Sequence, residues 1–348
     1  MSSEGEKRRR SLTTRRFVLV NLLLLLAVLL SIIAGALLGP GGTDLASLWP
    51  LDPDTNPQAA TVLLARLPRV LLAALVGAAL AAVGVSFQAL LRNPLADPFI
   101  MGVSGGAALG GTLALALLGT SIAAGIALQG PSAFIGALVA TFLVYKVGRV
   151  AGRVDTVTIL LVGVVFNAFA SAVIMFLKTV VTATKTQEIL IWLMGSLGYR
   201  EYSTILFVAI GVAIGIAVLM FMSSSMNALA LGERSASHLG VDVEKAKRVI
   251  FFAASLLVGL AVSVSGLIGF VGLIVPHLTR LVLGPDHRLL LPASALAGSF
   301  FLVLSDLAAR LLFVPLSTEP PVGVITAFLG GPFFLLLLRR RHETAFVG

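Results

Sequence analysis

Ten apolar runs, each bounded by charges or by Pro and Gly, set the narrowest constraint on how this chain folds. They lie near 17–39, 68–91, 99–118, 131–150, 157–178, 202–222, 249–267, 270–283, 289–312 and 322–338. A helix needs about 20 apolar residues to cross a bilayer, and most of the runs reach that length. Backbone polar groups in lipid must be satisfied within the segment, so such runs form helices. The eighth run is short and carries Pro276, which predicts irregular backbone or a helix held wholly inside the bundle. The expected fold class is an all-α polytopic membrane protein with ten spans. Of 348 residues 58% are hydrophobic and only 12% are charged, too few to coat a soluble domain.

Lys and Arg orient the bundle, because cytoplasmic loops collect them. With the N-terminus inside, 19 of the 25 fall on inner loops and helix ends. The other 6, Arg66, Arg69, Lys178, Lys185, Arg200 and Arg310, fall outside. This predicts a cytoplasmic basic tail over 1–16, a transmembrane domain over 17–338 and a cytoplasmic tail over 339–348. The run Phe17–Leu38 reads as an uncleaved first helix. Ala34-Gly35-Ala36 resembles a signal-peptidase site and makes a cleaved signal peptide the competing reading, but the run is longer than a usual signal core. The net charge of +9 belongs to the loops; no basic, aromatic-interleaved surface suggests nucleic acid. The absence of Cys rules out disulfides and thiolate metal sites.

Function is narrowed by Arg66–Gly111, which sets two arginines, an Asn-Pro/Asp-Pro break and a Gly-Ser run among apolar segments. Broken backbone at membrane depth is tolerated where protein or a water-lined path covers it, so the segment reads as part of a conduit. No Gly-x-x-x-x-Gly-Lys-Ser/Thr loop is present, and any ATP-driven work falls to a partner. Among 16 acidic residues only Asp306 lies clearly inside a span, four residues before Arg310 and so placed for a local ion pair. That leaves an ion-coupled secondary transporter few proton carriers, while sodium sites built from backbone carbonyls stay open. His238, His277, His287 and His342 do not pair at ligand spacing, so no metal site is expected. No nucleophile–base constellation is present either, and the chain reads as non-catalytic. The long inner connection 223–248 favours short helices broken at Gly232 and Gly240, a pattern suited to a docking surface.

Several segments resemble the permease subunits of type II ABC importers for iron-siderophores, haem and cobalamin. They include Arg66-Leu67-Pro68-Arg69, Arg92-Asn93-Pro94-Leu95-Ala96-Asp97-Pro98, Gly102-Val103-Ser104-Gly105-Gly106-Ala107 and Trp192-Leu193-Met194-Gly195. The most specific is Gly266-Leu267-Ile268-Gly269-Phe270-Val271-Gly272-Leu273-Ile274-Val275-Pro276-His277, followed by Gly284-Pro285-Asp286-His287-Arg288 and Gly330-Gly331-Pro332-Phe333-Phe334. The resemblance implies a bacterial or archaeal cytoplasmic-membrane protein in which two copies form the pathway at their interface. It also implies two cytoplasmic ATPase subunits, which hold ATP and Mg, and an extracytoplasmic binding protein that delivers substrate. No cofactor is expected on this chain.

By the same resemblance, ATPase docking falls on Asn227, Leu231, Gly232, Glu233, Arg234, Ser235, Ala236, His238, Leu239, Gly240 and Asp242. Arg66, Arg69 and Arg310 match positions facing the binding protein, where exposed arginines would grip acidic groups. Thr156 matches a cytoplasmic-gate position. Gly102, Ser104, Gly105, Gly106, Asn167 and Ser171 are pathway candidates, with close helix packing the alternative for the small residues. Ferric siderophore or haem is the expected cargo ahead of cobalamin, on how common each use is in the family. One departure is Glu319-Pro320-Pro321, with a second proline where the family usually has Leu.

Overall fold

The computed structural model describes residues 13–345 except 41, 43, 119–121 and 151; most of the predicted basic tail and residues 346–348 lie outside the described residues. In chain order, α1 spans Thr14–Leu37, α2 Leu67–Leu90, α3 Val103–Leu113, α4 Ile122–Val147 and α5 Thr156–Val180. Then come α6 (Ala183–Leu193), α7 (Tyr202–Phe221), α8 (Ser223–Ala230) and α9 (Glu233–His238). The chain closes with α10 (Val243–Ser265), α11 (Val271–Leu283), α12 (His287–Leu311) and α13 (Val322–Ala345). A two-stranded hairpin, β1 (Arg149–Val150) against β2 (Arg153–Val154), links α4 to α5. Among the described residues seven helical segments are long and apolar enough to cross a membrane, and three shorter ones fill the remaining predicted runs.

Helix starts are chemically marked. Asp155, Asp242 and Asp286 cap α5, α10 and α12, each accepting a backbone N–H from the first turn. A carboxylate there satisfies an orphan donor and complements the helix dipole. No span is predicted over 179–201, and the chain forms the short helix α6 there. Thr182 caps it, and Ile189 and Trp192 bury its apolar side.

α2 is the hub, with nearly every residue from Val70 to Leu90 buried against α7, α10, α11 and α12. Apolar side chains gain little by leaving lipid for one another, so close backbone approach must supply the attraction. Gly77 and Gly298 supply it between α2 and α12: a Cβ on either would lie 2.2 or 2.3 Å from the other's carbonyl oxygen. α11, with Pro276 inside it, is buried over Val271–His277. The chain enters it through non-helical backbone at 266–269, with Gly266 at φ +66° and Phe270 at φ +68°. Within the eighth run the chain is helical from Val271 despite Pro276, buried in its first half and exposed at Leu278, Leu281 and Val282, and the irregular backbone lies just ahead of it at 266–269.

Candidate functional site

A cavity of about 380 Å³ opens along α5, lined by Ser104, Gly105, Asn167, Ser171, Lys178 and Leu267 among others. Asn167 donates its side-chain amide to the Phe99 carbonyl at 2.8 Å, and the Ser104 hydroxyl reaches the same oxygen at 3.1 Å. A Cβ at Gly105 would sit 2.2 Å from Asn167 Oδ1, so the glycine leaves the amide its room. Four pathway candidates thus meet at one cavity; the other two do not. Gly102, at φ +84°, turns the chain into α3 beside Gly163. Gly106 packs on α4, where a Cβ would lie 2.5 Å from the Gly136 carbonyl. Both serve helix packing. Thr156, the first residue of α5, lies at the opposite end of that helix from Lys178, its hydroxyl buried without a hydrogen-bond partner.

At the Thr156 end, α8 and α9 form the predicted docking region. Leu231, Arg234, Ser235, His238, Leu239, Gly240 and Asp242 are exposed there, and Gly232 (φ +107°) and Gly240 (φ +81°) break the helices as expected. Two of the predicted docking residues face inward instead. Ala236 is fully buried, since a short helix turns one side onto its neighbours. Asn227 is spent inside the chain: its amide donates to Asp286 at 2.8 Å, and its oxygen accepts the His287 backbone N–H at 2.8 Å. His287 Nδ1 lies 2.7 Å from that same oxygen. This clamps α8 to the start of α12. Asp286 is held down to about 2, chiefly by Arg288, against partial burial and with further help from Asn227.

A second clamp was missed by sequence reading. The Lys247 side chain, only 3% exposed, places its ammonium 2.6 Å from Glu233 of α9 and 2.9 Å from the Val154 carbonyl. The Val154 N–H donates to Glu244 at 2.8 Å. Val154 precedes Thr156 by two residues, so α9 is tied through Lys247 to the entry of α5. In sequence Lys247 stands in the basic cluster Lys245-Ala246-Lys247-Arg248, which gives no signal that it alone turns inward.

The three arginines at the other end are not free to project as expected. Arg66 is buried and donates to the carbonyls of Leu37 at 3.0 Å and Pro40 at 3.1 Å, closing the end of α1. Arg310 bonds Asp306 at 2.9 Å, the local pair read from their spacing, and also the Leu38 carbonyl at 3.3 Å. Arg69 reaches the other oxygen of the buried Asp306 at 2.8 Å and pairs with Glu319. Hydrogen-bond demand explains the burial: backbone carbonyls left open after α1 need donors, and Asp306 needs counter-charge. Of the two that pair with Asp306, Arg69 is the more exposed, its side chain 18% against 5% for Arg310.

Among the described residues, seven long and three shorter apolar helical segments, with a cavity along α5 that carries Ser104, Asn167, Ser171 and Lys178, mark an integral membrane protein. The chain belongs to the FecCD transport family, whose model matches residues 23–340. The cobalamin import system permease protein BtuC of Halobacterium salinarum is 47% identical over 280 residues, covering 80% of this chain and 73% of the relative. The hemin transport system permease protein HmuU of Yersinia pestis is 39% identical over 330 residues, covering 94% and 96%. A solved metal-chelate type ABC transporter in an inward-facing conformation matches with a TM-score of 0.80 at 30% identity, over 93% of this chain and 99% of that one. The chain is thus an integral membrane permease of the FecCD transport family, a transport component.

Proposed function

We propose that two copies of this chain form the passage of an ATP-driven importer of a metal chelate, in the cytoplasmic membrane of a bacterium or archaeon. Two ATPase subunits, which carry ATP and Mg, dock on the exposed residues of 223–242. A binding protein delivers the chelate at the Arg69 end, and both termini face the cytoplasm. The cargo is a ferric siderophore or haem; cobalamin, named for the Halobacterium salinarum relative and several others, is the alternative within the same mechanism.

The carrying observation is the pair of clamps joining the docking region to the bundle. Glu233 to Lys247 to Val154 leads into α5 and the gate candidate Thr156. Asn227 to Asp286 and His287 leads into α12, whose far end holds Asp306 and Arg310. A displacement imposed on α8 and α9 therefore moves one helix that lines the cavity and another that reaches the opposite rim. Rocking of packed helices about a central cavity is a general route to alternating access. The cavity also supports a two-copy passage: Met175, one of its lining residues, is 70% exposed, so a single copy encloses only part of it.

Reconstitution with the ATPase and binding protein tests the reading. Chelate should accumulate in proteoliposomes with ATP and not without it. Uptake that ignores nucleotide and follows a proton or sodium gradient would refute it.

A further inference from the structure

We infer that Lys178 makes this passage selective for anionic chelates, those whose organic ligand carries carboxylates or comparable negative groups. The inference rests on reading the α5 cavity as the passage. Asn167, Ala170, Ser171, Ile174, Met175 and Lys178 all line that cavity. Their spacing of three and four residues makes one stripe along α5, and about 16 Å of helix separates its first and last members. An amide (Asn167) begins the stripe, a hydroxyl (Ser171) follows one turn on, apolar Ile174 and Met175 come next, and the Lys178 ammonium ends it.

The charge balance of the lining is one-sided. Lys178 is the only charged residue among the lining residues, and no carboxylate is among them. Its ammonium has no hydrogen-bond or ion-pair partner among the described residues. The nearby helix α6 offers no neutralisation. Its Lys185 donates to the Ala116 carbonyl at 3.2 Å, and among the described residues its single acid, Glu188, forms no ion pair with Lys178.

A lysine in the last turn of a helix also complements the helix dipole and reaches for the membrane surface. That role would be served as well at 179 or 180; position 178 continues the cavity stripe. A fixed cation in a low-dielectric passage concentrates anions and repels cations, and charged side chains set pore selectivity this way. In a two-copy passage each copy contributes one such ammonium. Haem, with two propionates, and ferric citrate complexes meet this requirement. Cyanocobalamin and ferrichrome, without net charge, gain nothing from it.

The test uses the complete transporter, permease with ATPase and binding protein, in ATP-loaded proteoliposomes. Haem, ferric citrate, cyanocobalamin and ferrichrome serve as probes against wild type, Lys178→Arg, Lys178→Gln and Lys178→Glu. Wild type should carry an anionic probe. Lys178→Gln should slow its entry about ten-fold, as expected for one lost charge-assisted contact. Lys178→Glu should slow it further, and Lys178→Arg should restore most of the rate. A wild type that carries only the neutral probes overturns the inference, as does anionic uptake undiminished in Lys178→Glu. Equal failure of Lys178→Arg and Lys178→Glu also overturns it, since that pattern marks a structural lysine. A wild type that moves none of the four under ATP also overturns the inference, since two of them are anionic chelates; uptake that persists without ATP and follows an ion gradient refutes the importer reading instead.

Discussion

Replacing Glu233 with Gln isolates the charge against which Lys247 is buried. The ammonium has two acceptors, Glu233 at 2.6 Å and the Val154 carbonyl at 2.9 Å, and its side chain is 3% exposed. Stripping one partner from a fully buried ion pair costs about 3–5 kcal/mol, because the remaining charge is stranded. The Glu233 side chain is 42% exposed, so solvent already screens part of the pair and the expected loss falls to roughly 1–3 kcal/mol. Lys247→Met acts differently. It keeps most of the stem's volume and leaves a carboxylate that water can solvate. Its chief cost is the donor lost to Val154, about 1 kcal/mol. Glu233→Gln should therefore destabilise more than Lys247→Met, and the double variant should resemble Lys247→Met. Both single variants should keep hydrolysing ATP in the assembled transporter while uptake falls. Thermal unfolding in nanodiscs reads the first effect, and paired hydrolysis and uptake measurements read the second. The reverse order of stabilities would refute the burial argument, and normal coupling in both variants would refute the link to α5.

At the opposite rim, Asp306→Asn strands Arg310, whose side chain is 5% exposed, and should cost about 3–5 kcal/mol. Glu319→Gln touches a partner that is 36% exposed and should cost only about 0–1 kcal/mol; thermal unfolding of the pair distinguishes them. Asp286 sits at about 2 in the fold against an ordinary 3.8. A depressed carboxyl stabilises above its unfolded value, so the Asn227 clamp should hold down to about pH 4 and loosen between about pH 4 and 2. Spin-label mobility on α8 should stay level across the higher range and rise below it. Gly105→Ala should push Asn167 off the Phe99 carbonyl and slow uptake in a protein that still assembles. Gly106→Ala should block assembly, because its new methyl meets the Gly136 backbone, which cannot swing aside as a side chain can. Size-exclusion profiles and uptake rates together check both.

Much of the architecture was legible along the chain. Apolar runs located all ten crossings, Asp306 and Arg310 four residues apart announced their ion pair, and Gly232 and Gly240 marked the breaks around α9. Hydropathy and spacing carry such features because they depend on residues close together in sequence. The same signals gave no reading of α6, whose 11 residues are too short and too mixed to stand out as a span.

What a charged or small side chain does was decided only by packing. Arg66 and Arg310 look like exposed rim arginines until the end of α1 arrives with open carbonyls. Gly105 and Gly106 are neighbours of the same type, yet one faces the cavity and the other α4. Lys178 and Lys247 are both lysines near helix ends; the first lines a cavity with no partner among the described residues and the second is locked between Glu233 and Val154. Composition and period determine that helices form and that they lie in lipid. The rotation of each helix about its own axis, set by which backbones can approach closely, determines where every polar group finds or lacks its partner.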